Sequence, residues 1–496
     1  MNDWWKSYFS YSMQGITRGG NDMSKIDWQQ VLEWDKKYIM RTFSTQEEYE
    51  PIPIATTEGD YLILPDGTKL LDCFNQLYCV NAGQKNEKIN NAIKDALDRY
   101  GFLQDAYVTD YKAKAAKMII EDVLGNESWP GKVRFVSTGS EAVETALMIA
   151  RLYKKRPLVV TREYAYHGWT KGASSMTRLK GSKSGVTESV PDSLPHHVPA
   201  QDSGLVAVAP SPNCMRCSLG HKYGTCQDEN GELACVKYTR RIIENQGPEQ
   251  VAAIITEVTQ GAGSVQPPDE YIPQIRKMTK ELNILWIADE VLTGFGRTGE
   301  WFAYQHYDVE PDIVSMAKGI SSSAIPAGAV VVSKEIAEFM DQYRWETVST
   351  YSGHPIAMAA VCANLEYIME ENLVERAAAA GQYIKQKLLE LKKKHQSIGQ
   401  IAGYGVLWLV ELVKDEQMTP FVEIDRNFTH EADPSTFPSN IIREKAIEKG
   451  VLIGGVMPNT LRFGTSLNVS RKDIDKAIDA LVYALIYLER QVLQIN

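Results

Sequence analysis

The sequence predicts an α/β protein: a mostly parallel central sheet flanked by helices, with a smaller α+β domain built from both ends of the chain. Three observations predict it. From about residue 131, short apolar runs alternate with helical segments, the pattern of a parallel sheet covered on both faces. Residues 52–80 read instead as short strands with a turn at Pro65-Asp66-Gly67. Beyond about residue 395 a second group of strands appears, closed by a helix from about Arg471. The division expected is 1–80 for the first part of the small domain, 81–345 for the large one and 346–496 for the rest of the small one.

Taken in order, residues 86–124 carry the spacing of two amphipathic helices. The strands of the large sheet are expected at Val133–Val136, Leu158–Thr161, Val206–Ala209, Ala253–Glu257, Ile284–Ala288, Ile313–Ala317 and Gly328–Ser333. A helical stretch covers about 356–395. Strands follow near Gly405–Glu411, Leu452–Gly454 and Thr460–Phe463. The chain has 496 residues, 44% hydrophobic and 23% charged, as in an ordinary globular protein. A net charge of −10 argues against nucleic acid or an anionic membrane surface as partner. No apolar run approaches the roughly 18–20 residues that span a bilayer. The start, Met1-Asn-Asp-Trp-Trp-Lys-Ser-Tyr, lacks the continuous apolar core of a signal peptide, so a cytoplasmic location is expected.

The chemistry gathers at strand ends. The run Ile284-Leu-Trp-Ile-Ala-Asp289 ends in an acid, and Ile313-Val-Ser-Met-Ala-Lys318 ends in an amine. Buried acids are rare unless paired. An amine and a carboxylate at the ends of buried strands are what pyridoxal phosphate needs: one to bond its aldehyde, the other to hold a proton on its ring nitrogen. Val291 points to the same face as Asp289 in an extended segment. Thr138-Gly139-Ser140 sits where a strand turns into a helix, whose unpaired N–H groups suit a phosphate; an ordinary capped helix start is the plain alternative. Tyr164-Ala-Tyr166-His167-Gly168-Trp169 supplies rings able to stack on a flat cofactor, or simply to anchor a surface loop. Glu257 closes a third strand, in the crevice where open α/β sheets bind ligands; a structural partner for a buried arginine is the equal alternative. The glycines of Thr293-Gly-Phe-Gly-Arg-Thr-Gly299 suit a loop turning sharply around substrate.

These motifs, with Thr350-Tyr-Ser-Gly353 and Arg462, together resemble the class III, fold-type I aminotransferases dependent on pyridoxal phosphate, over about residues 50–485. The resemblance implies that Lys318 bonds the cofactor and then moves the substrate proton, and that Asp289 pairs with the ring nitrogen. It further implies that Gly139 and Ser140 hold the phosphate. Tyr166 and Val291 would cover the two ring faces, and Glu257 would support the site near the ring hydroxyl. Thr350 would reach the phosphate in a neighbouring subunit, so a homodimer with shared active sites is implied. Arg462 would bind a substrate carboxylate, and Tyr78, in Phe74-Asn-Gln-Leu-Tyr78, would line the substrate pocket. Two departures from the family pattern are Leu292, where a glutamine is common, and the run Arg462-Phe-Gly-Thr-Ser-Leu467, where Pro-Pro-Leu is common.

Seven cysteines cannot all pair within one chain. Cys73, Cys79 and Cys362 read as packed free thiols. Cys214, Cys217, Cys226 and Cys235 lack the spacing of two metal knuckles and read as part of a packed insertion, with no metal expected. That insertion and the Phe74–Tyr78 stretch are similar to those of ω-amino-acid aminotransferases. The donor implied is an ω-amino acid, taurine first and then β-alanine or 4-aminobutyrate, with 2-oxoglutarate or pyruvate as the 2-oxo acid acceptor. An epimerase or isomerase on the same fold would use the same cofactor residues. A regulatory protein on this fold would need a helix-turn-helix module, which the N-terminal region is too short and too aromatic to supply.

Overall fold

The computed structural model describes residues 26–40, 51–178, 205–222, 225–424 and 436–494. The first helix, α1 (Trp28–Tyr38), is capped by Asp27, whose side chain accepts from the N–H of Gln30, and it buries no residue. Three short strands follow: β1 (Thr56–Glu58), β2 (Tyr61–Ile63) and β3 (Lys69–Cys73). Next come α2 (Glu87–Arg99) and α3 (Asp110–Lys117), in the region where two helices were expected.

The strands of the large sheet are β4 (Pro130–Val136), β5 (Leu158–Arg162), β6 (Val206–Ala209), β7 (Val251–Glu257), β8 (Leu285–Asp289), β9 (Ile313–Met316) and β10 (Gly328–Ser333). They lie in the order β4-β10-β9-β8-β7-β5-β6. The pairings among β9, β8, β7, β5 and β6 are parallel, and β10 runs antiparallel to both β9 and β4. Every residue of β5, β7, β8, β9 and β10 is buried. That is why these strands read as continuous apolar runs rather than as alternation: helices cover both faces.

The second sheet takes β11 (Ile398–Tyr404), β12 (Leu407–Leu412), β13 (Val451–Met457) and β14 (Thr460–Gly464) from the far end of the chain. Its order is β1-β2-β3-β13-β14-β12-β11, so the two ends meet where β3 pairs in parallel with β13, Leu71 opposite Val451. The helical stretch before it is two helices, α4 (Pro355–Glu370) and α5 (Leu373–Lys392), broken at Asn372, which has φ +49°. After β14 the closing helix α6 runs Arg471–Tyr487.

Two expectations need correction. The strand expected from Gly405 starts at Leu407, because Gly405 has φ +51° and forms the hairpin turn. The strands expected through residue 80 end at Cys73; Asn75, Gln76, Leu77 and Tyr78 then wind left-handed, with φ of 46, 49, 65 and 62°. Left-handed backbone is unfavourable by about 1–2 kcal/mol per residue with a Cβ, so local propensity opposes this turn and tertiary contacts impose it. Among the described residues no helix is long and apolar enough to cross a membrane.

Candidate active site

Strand register brings the acidic end of the site together. Glu257 at the end of β7 lies opposite Asp289 at the end of β8, and Asp289 lies opposite Ser315 on β9. Neighbouring strands sit about 4.8 Å apart, so the three side chains form one short row at the carboxyl edge of the sheet. Lys318 comes just past the end of β9, opening a turn at φ +43°, a conformation that lifts it out of the strand direction.

Each acid has a distinct set of partners. Asp289 is buried, and its Oδ1 accepts from the N–H of Val291 and the hydroxyl of Ser315, each at 3.1 Å. Its Oδ2 lies 2.5 Å from Nδ1 of the buried His167. Since a carboxylate only accepts, that nitrogen is the donor. His167 Nε2 is buried and, among the described residues, has no hydrogen-bond partner. Glu257 accepts from the N–H groups of Tyr166 at 3.2 Å and Gly261 at 3.1 Å. Burial pushes its carboxyl up to about 7, with the charge of Asp289 adding to the rise and His167 and Arg162 opposing it. Glu290, next to Asp289 but pointing elsewhere, is likewise raised to about 7 by burial while accepting from Thr293, Ala303 and Tyr304.

Lys318 is half-buried, and among the described residues no group hydrogen-bonds its Nζ. Desolvation lowers its pKa; nearby Asp289 and Glu257 oppose that and Arg462 adds to it. A lysine that is desolvated and unpaired is a nucleophile held ready.

The anion-binding end is the start of the helix Gly139–Lys154. Thr138 is the cap, its side chain accepting from Glu141, which leaves the first-turn N–H groups of Gly139 and Ser140 outside the helix ladder. The surroundings are built closely around this turn. A Cβ on Gly139 would stand 2.9 Å from Val291 Cγ1, and one on Gly168, at φ +121°, would stand 2.3 Å from Ser140 Oγ. Ser140 Oγ also accepts from the N–H of Trp169. Tyr166 is half-buried beside Glu257. So Gly139, Ser140, Tyr166, Glu257, Asp289, Val291 and Lys318 come together. Thr350 does not join them within one chain: it is exposed, while its neighbour Ser349 donates to Glu141 at 3.0 Å.

Arg462 and Tyr78 form a third edge. Arg462 lies on β14 and is buried; its Nη1 donates to the carbonyl of Gly261 at 2.7 Å, and among the described residues its Nε has no hydrogen-bond partner. Its guanidinium carbon is 5.5 Å from the ring centre of Phe74 and 5.3 Å from that of Tyr78, and burial lowers its pKa. Leu292, the departure noted in the sequence, packs against Gly261: a Cβ there would stand 2.3 Å from its Cδ1.

Three contributors were not assigned in the sequence. His167 lay inside a quoted motif, and its spacing from Tyr166 was the available signal. Ser315 is legible only through strand register. Phe74 was quoted with Tyr78 but not placed beside Arg462. The seven cysteines are free thiols, and among the described residues no group of three His, Cys, Asp or Glu side chains stands close enough to hold a metal ion.

The sequence matches the family Aminotransferase class-III over residues 42–485. The chain belongs to this family. It is an aminotransferase dependent on pyridoxal phosphate, of fold type I. It is similar to an S-selective transaminase from Arthrobacter sp. with alanine bound, at 66% identity over 95% of this chain and 100% of that one, with a TM-score of 0.89. It is also similar to the taurine:2-oxoglutarate aminotransferase from Bifidobacterium kashiwanohense in complex with PLP and glutamate, at 26% identity over 94% and 99% of the two chains, with a TM-score of 0.83. Among curated relatives, a leucine/methionine racemase from Thermococcus litoralis is 30% identical over 89% of this chain and 92% of its own. The site of this aminotransferase fits its cofactor on its own evidence: an unpaired lysine, a carboxylate with fixed orientation, and a helix start too crowded for any Cβ at Gly139 or Gly168.

Proposed function

We propose that the enzyme moves an amino group between alanine, with pyruvate as its oxo form, and primary amines whose nitrogen is not beside a carboxylate, ω-amino acids such as taurine among them. Arg462 carries this reading. It sits against two aromatic rings in the same pocket, so one wall offers both a cation and apolar surface. A carboxylate or sulfonate finds the cation, and an apolar substituent finds the rings. The alanine-bound Arthrobacter relative supports alanine and pyruvate as one couple. The Bifidobacterium relative supports taurine, with 2-oxoglutarate as the other acceptor, and β-alanine and 4-aminobutyrate share taurine's chemistry.

In this reading Gly139 and Ser140 hold the cofactor phosphate, Tyr166 and Val291 cover its ring, and Asp289, oriented by His167 and Ser315, keeps the ring nitrogen protonated. Glu257 supports the ring hydroxyl. The bound cofactor draws electrons from the carbon that carries the donor nitrogen. Lys318 Nζ would take the proton from that carbon and return it at the other end of the transfer. Thr350, exposed in one chain, reaches the phosphate in the partner of a homodimer. A cytoplasmic address and the domain division at about residues 80 and 345 belong to the same proposal, with the free thiols supporting the first.

Racemisation is the second reading, favoured by the Thermococcus relative. The test is a donor panel with purified holoenzyme and pyruvate: both hands of a chiral arylalkyl amine, taurine, β-alanine and 4-aminobutyrate, with alanine measured chromatographically. Alanine forms from one hand of the chiral amine and from at least one ω-amino acid. Failure to form alanine from any amine lacking an α-carboxylate, with a single amino acid losing its handedness in the absence of pyruvate, sinks the proposal.

A further inference from the structure

The loop that carries the glycines also carries Arg297, and Arg297 is fully buried. Its Nη1 donates to the carbonyl of Thr465, in the chain just past Arg462. Its Nη2 donates to Asn75 Oδ1 at 2.8 Å, to the carbonyl of Tyr78 at 3.3 Å and to Asn81 Oδ1. Among the described residues no carboxylate pairs with it. Burial lowers its pKa only to about 10, so it remains a cation whose charge is met by four neutral oxygens. Three of those oxygens belong to the left-handed turn or its exit.

That turn needs holding. Its residues Asn75, Gln76, Leu77 and Tyr78 all carry a Cβ at positive φ. Asp72 fixes its entrance, accepting from the N–H groups of Phe74 and Gln76. Asn75 bridges its ends, donating to the carbonyl of Val80 and accepting from the N–H of Val80, both at 3.1 Å. Arg297 reaches its first residue, its last and its exit. The same Asn81 donates to the carbonyl of Phe295, and a Cβ on Gly319 would stand 2.4 Å from Asn81 Nδ2. The turn, the Arg462 strand and the Lys318 turn therefore converge on one guanidinium and its amide neighbour.

We infer that Arg297 is a positioning residue for the donor pocket: it holds the left-handed turn Asn75–Tyr78 so that Phe74 and Tyr78 stay against Arg462. The inference rests on the proposed reading that these three residues wall the pocket. A planar fork can serve oxygens from several segments at once, whereas a lysine ammonium is a single point. Losing the fork releases a turn that is unfavourable on its own, and the rings move with it.

The experiment uses the holoenzyme and two substitutions. Arg297→Lys retains the cation without the fork. In it, the visible cofactor band and its pH titration stay as in the parent, since Arg297 makes no hydrogen bond to Lys318 or Asp289 and Asn81 remains tied to Phe295. The KM for donors rises about tenfold with kcat within about threefold. Leu77 is exposed and its side chain leaves the core free, so Leu77→Gly makes positive φ easy and Leu77→Val makes it harder. Leu77→Gly in the Arg297→Lys background restores most of the lost KM, and Leu77→Val alone raises it. The Leu77 series reads the turn even where Arg297→Lys does not fold. Donor KM within twofold of the parent in both Arg297→Lys and Leu77→Val overturns the inference. So does loss of the cofactor band in parallel with KM, which marks a merely structural arginine, and so does absence of rescue by Leu77→Gly. Arg462→Leu separates the two failures. If it leaves KM unchanged, the pocket reading has failed; if it raises KM while the Leu77 series does not, only the role of Arg297 has.

Discussion

His167 Nδ1 lies 2.5 Å from Asp289 Oδ2, and both side chains are buried. Asp289 is therefore aimed from two sides, by His167 and by Ser315, toward the space beyond the strand end. Asp289→Asn keeps the shape and removes the charge that steadies a ring proton. Its kcat falls by about 10²–10³, the usual effect of losing one preorganised electrostatic group. His167→Asn leaves the carboxylate in place, still held at Oδ1 by Val291 and Ser315 but no longer at Oδ2, and by analogy with the outer partners of metal ligands its loss is about 10–100-fold. The order of loss, Asp289→Asn above His167→Asn, is read by steady-state transamination of alanine. An equal loss in both refutes the division of labour.

Lys318 has no hydrogen-bond partner for Nζ among the described residues and burial lowers its pKa, which suits the proton transfer that the proposed reading gives it. Lys318→Arg retains a cation that stays protonated at all working pH values. Turnover falls by at least about 10³, at the level of lost general base catalysis. Rapid mixing with alanine, followed by the visible absorbance of the cofactor, measures the transfer step directly. A rate within tenfold of the parent removes Lys318 from the centre of the mechanism.

The parallel sheet was legible because its strands are buried on both faces. Val251–Glu257 and Leu285–Asp289 are almost wholly apolar and each ends in one acid, the pattern of a strand covered on both faces. The strand Ile398–Tyr404 was not legible: Gly399, Gln400 and Gly403 interrupt any period, and five of its seven residues are only partly buried. The helix Pro438–Ile447 was missed too, following a stretch with no clear start signal beyond Phe437-Pro438. In the site, Lys318, Asp289 and Ser140 announce themselves through chain position. The left-handed turn does not, since it holds no glycine and is imposed by Arg297 and Asp72, which are far apart in sequence. Register alone places Ser315, and register is a property of the folded sheet.

Glu257 gives the fold a pH dependence of definite sign. Its carboxyl titrates at about 7 when folded and at 4.5 as a free side chain. Between those values the unfolded chain has lost the proton that the folded one keeps, so stability falls as pH rises from about 4.5 to about 7 and levels off above. At about 1.4 kcal/mol per pH unit, the contribution is about 3 kcal/mol. Glu290, also at about 7, acts in the same direction. The melting temperature of the cofactor-free protein therefore declines from pH 5 to pH 7.5. Glu257→Gln flattens that slope, whatever it does to the absolute value. A slope unchanged by the substitution shows that Glu257 does not titrate in this window.

In the proposed reading, Arg462 decides between substrates with and without an acidic group. Its Nε is buried without a partner and its Nη1 is held by Gly261, so the guanidinium is fixed in direction but not saturated. Hydrogen bonds to charged groups contribute about 1.5–3 kcal/mol. Arg462→Leu removes that donor set while keeping apolar volume between Phe74 and Tyr78. For pyruvate, alanine and taurine, kcat/KM falls by roughly 10- to 150-fold, the equivalent of that range. An amine with an apolar substituent and no acid loses far less, because the rings that receive it remain. Uniform loss across both classes would mean that Arg462 supports the pocket wall rather than reading the substrate's charge, leaving donor selection to Phe74 and Tyr78 alone.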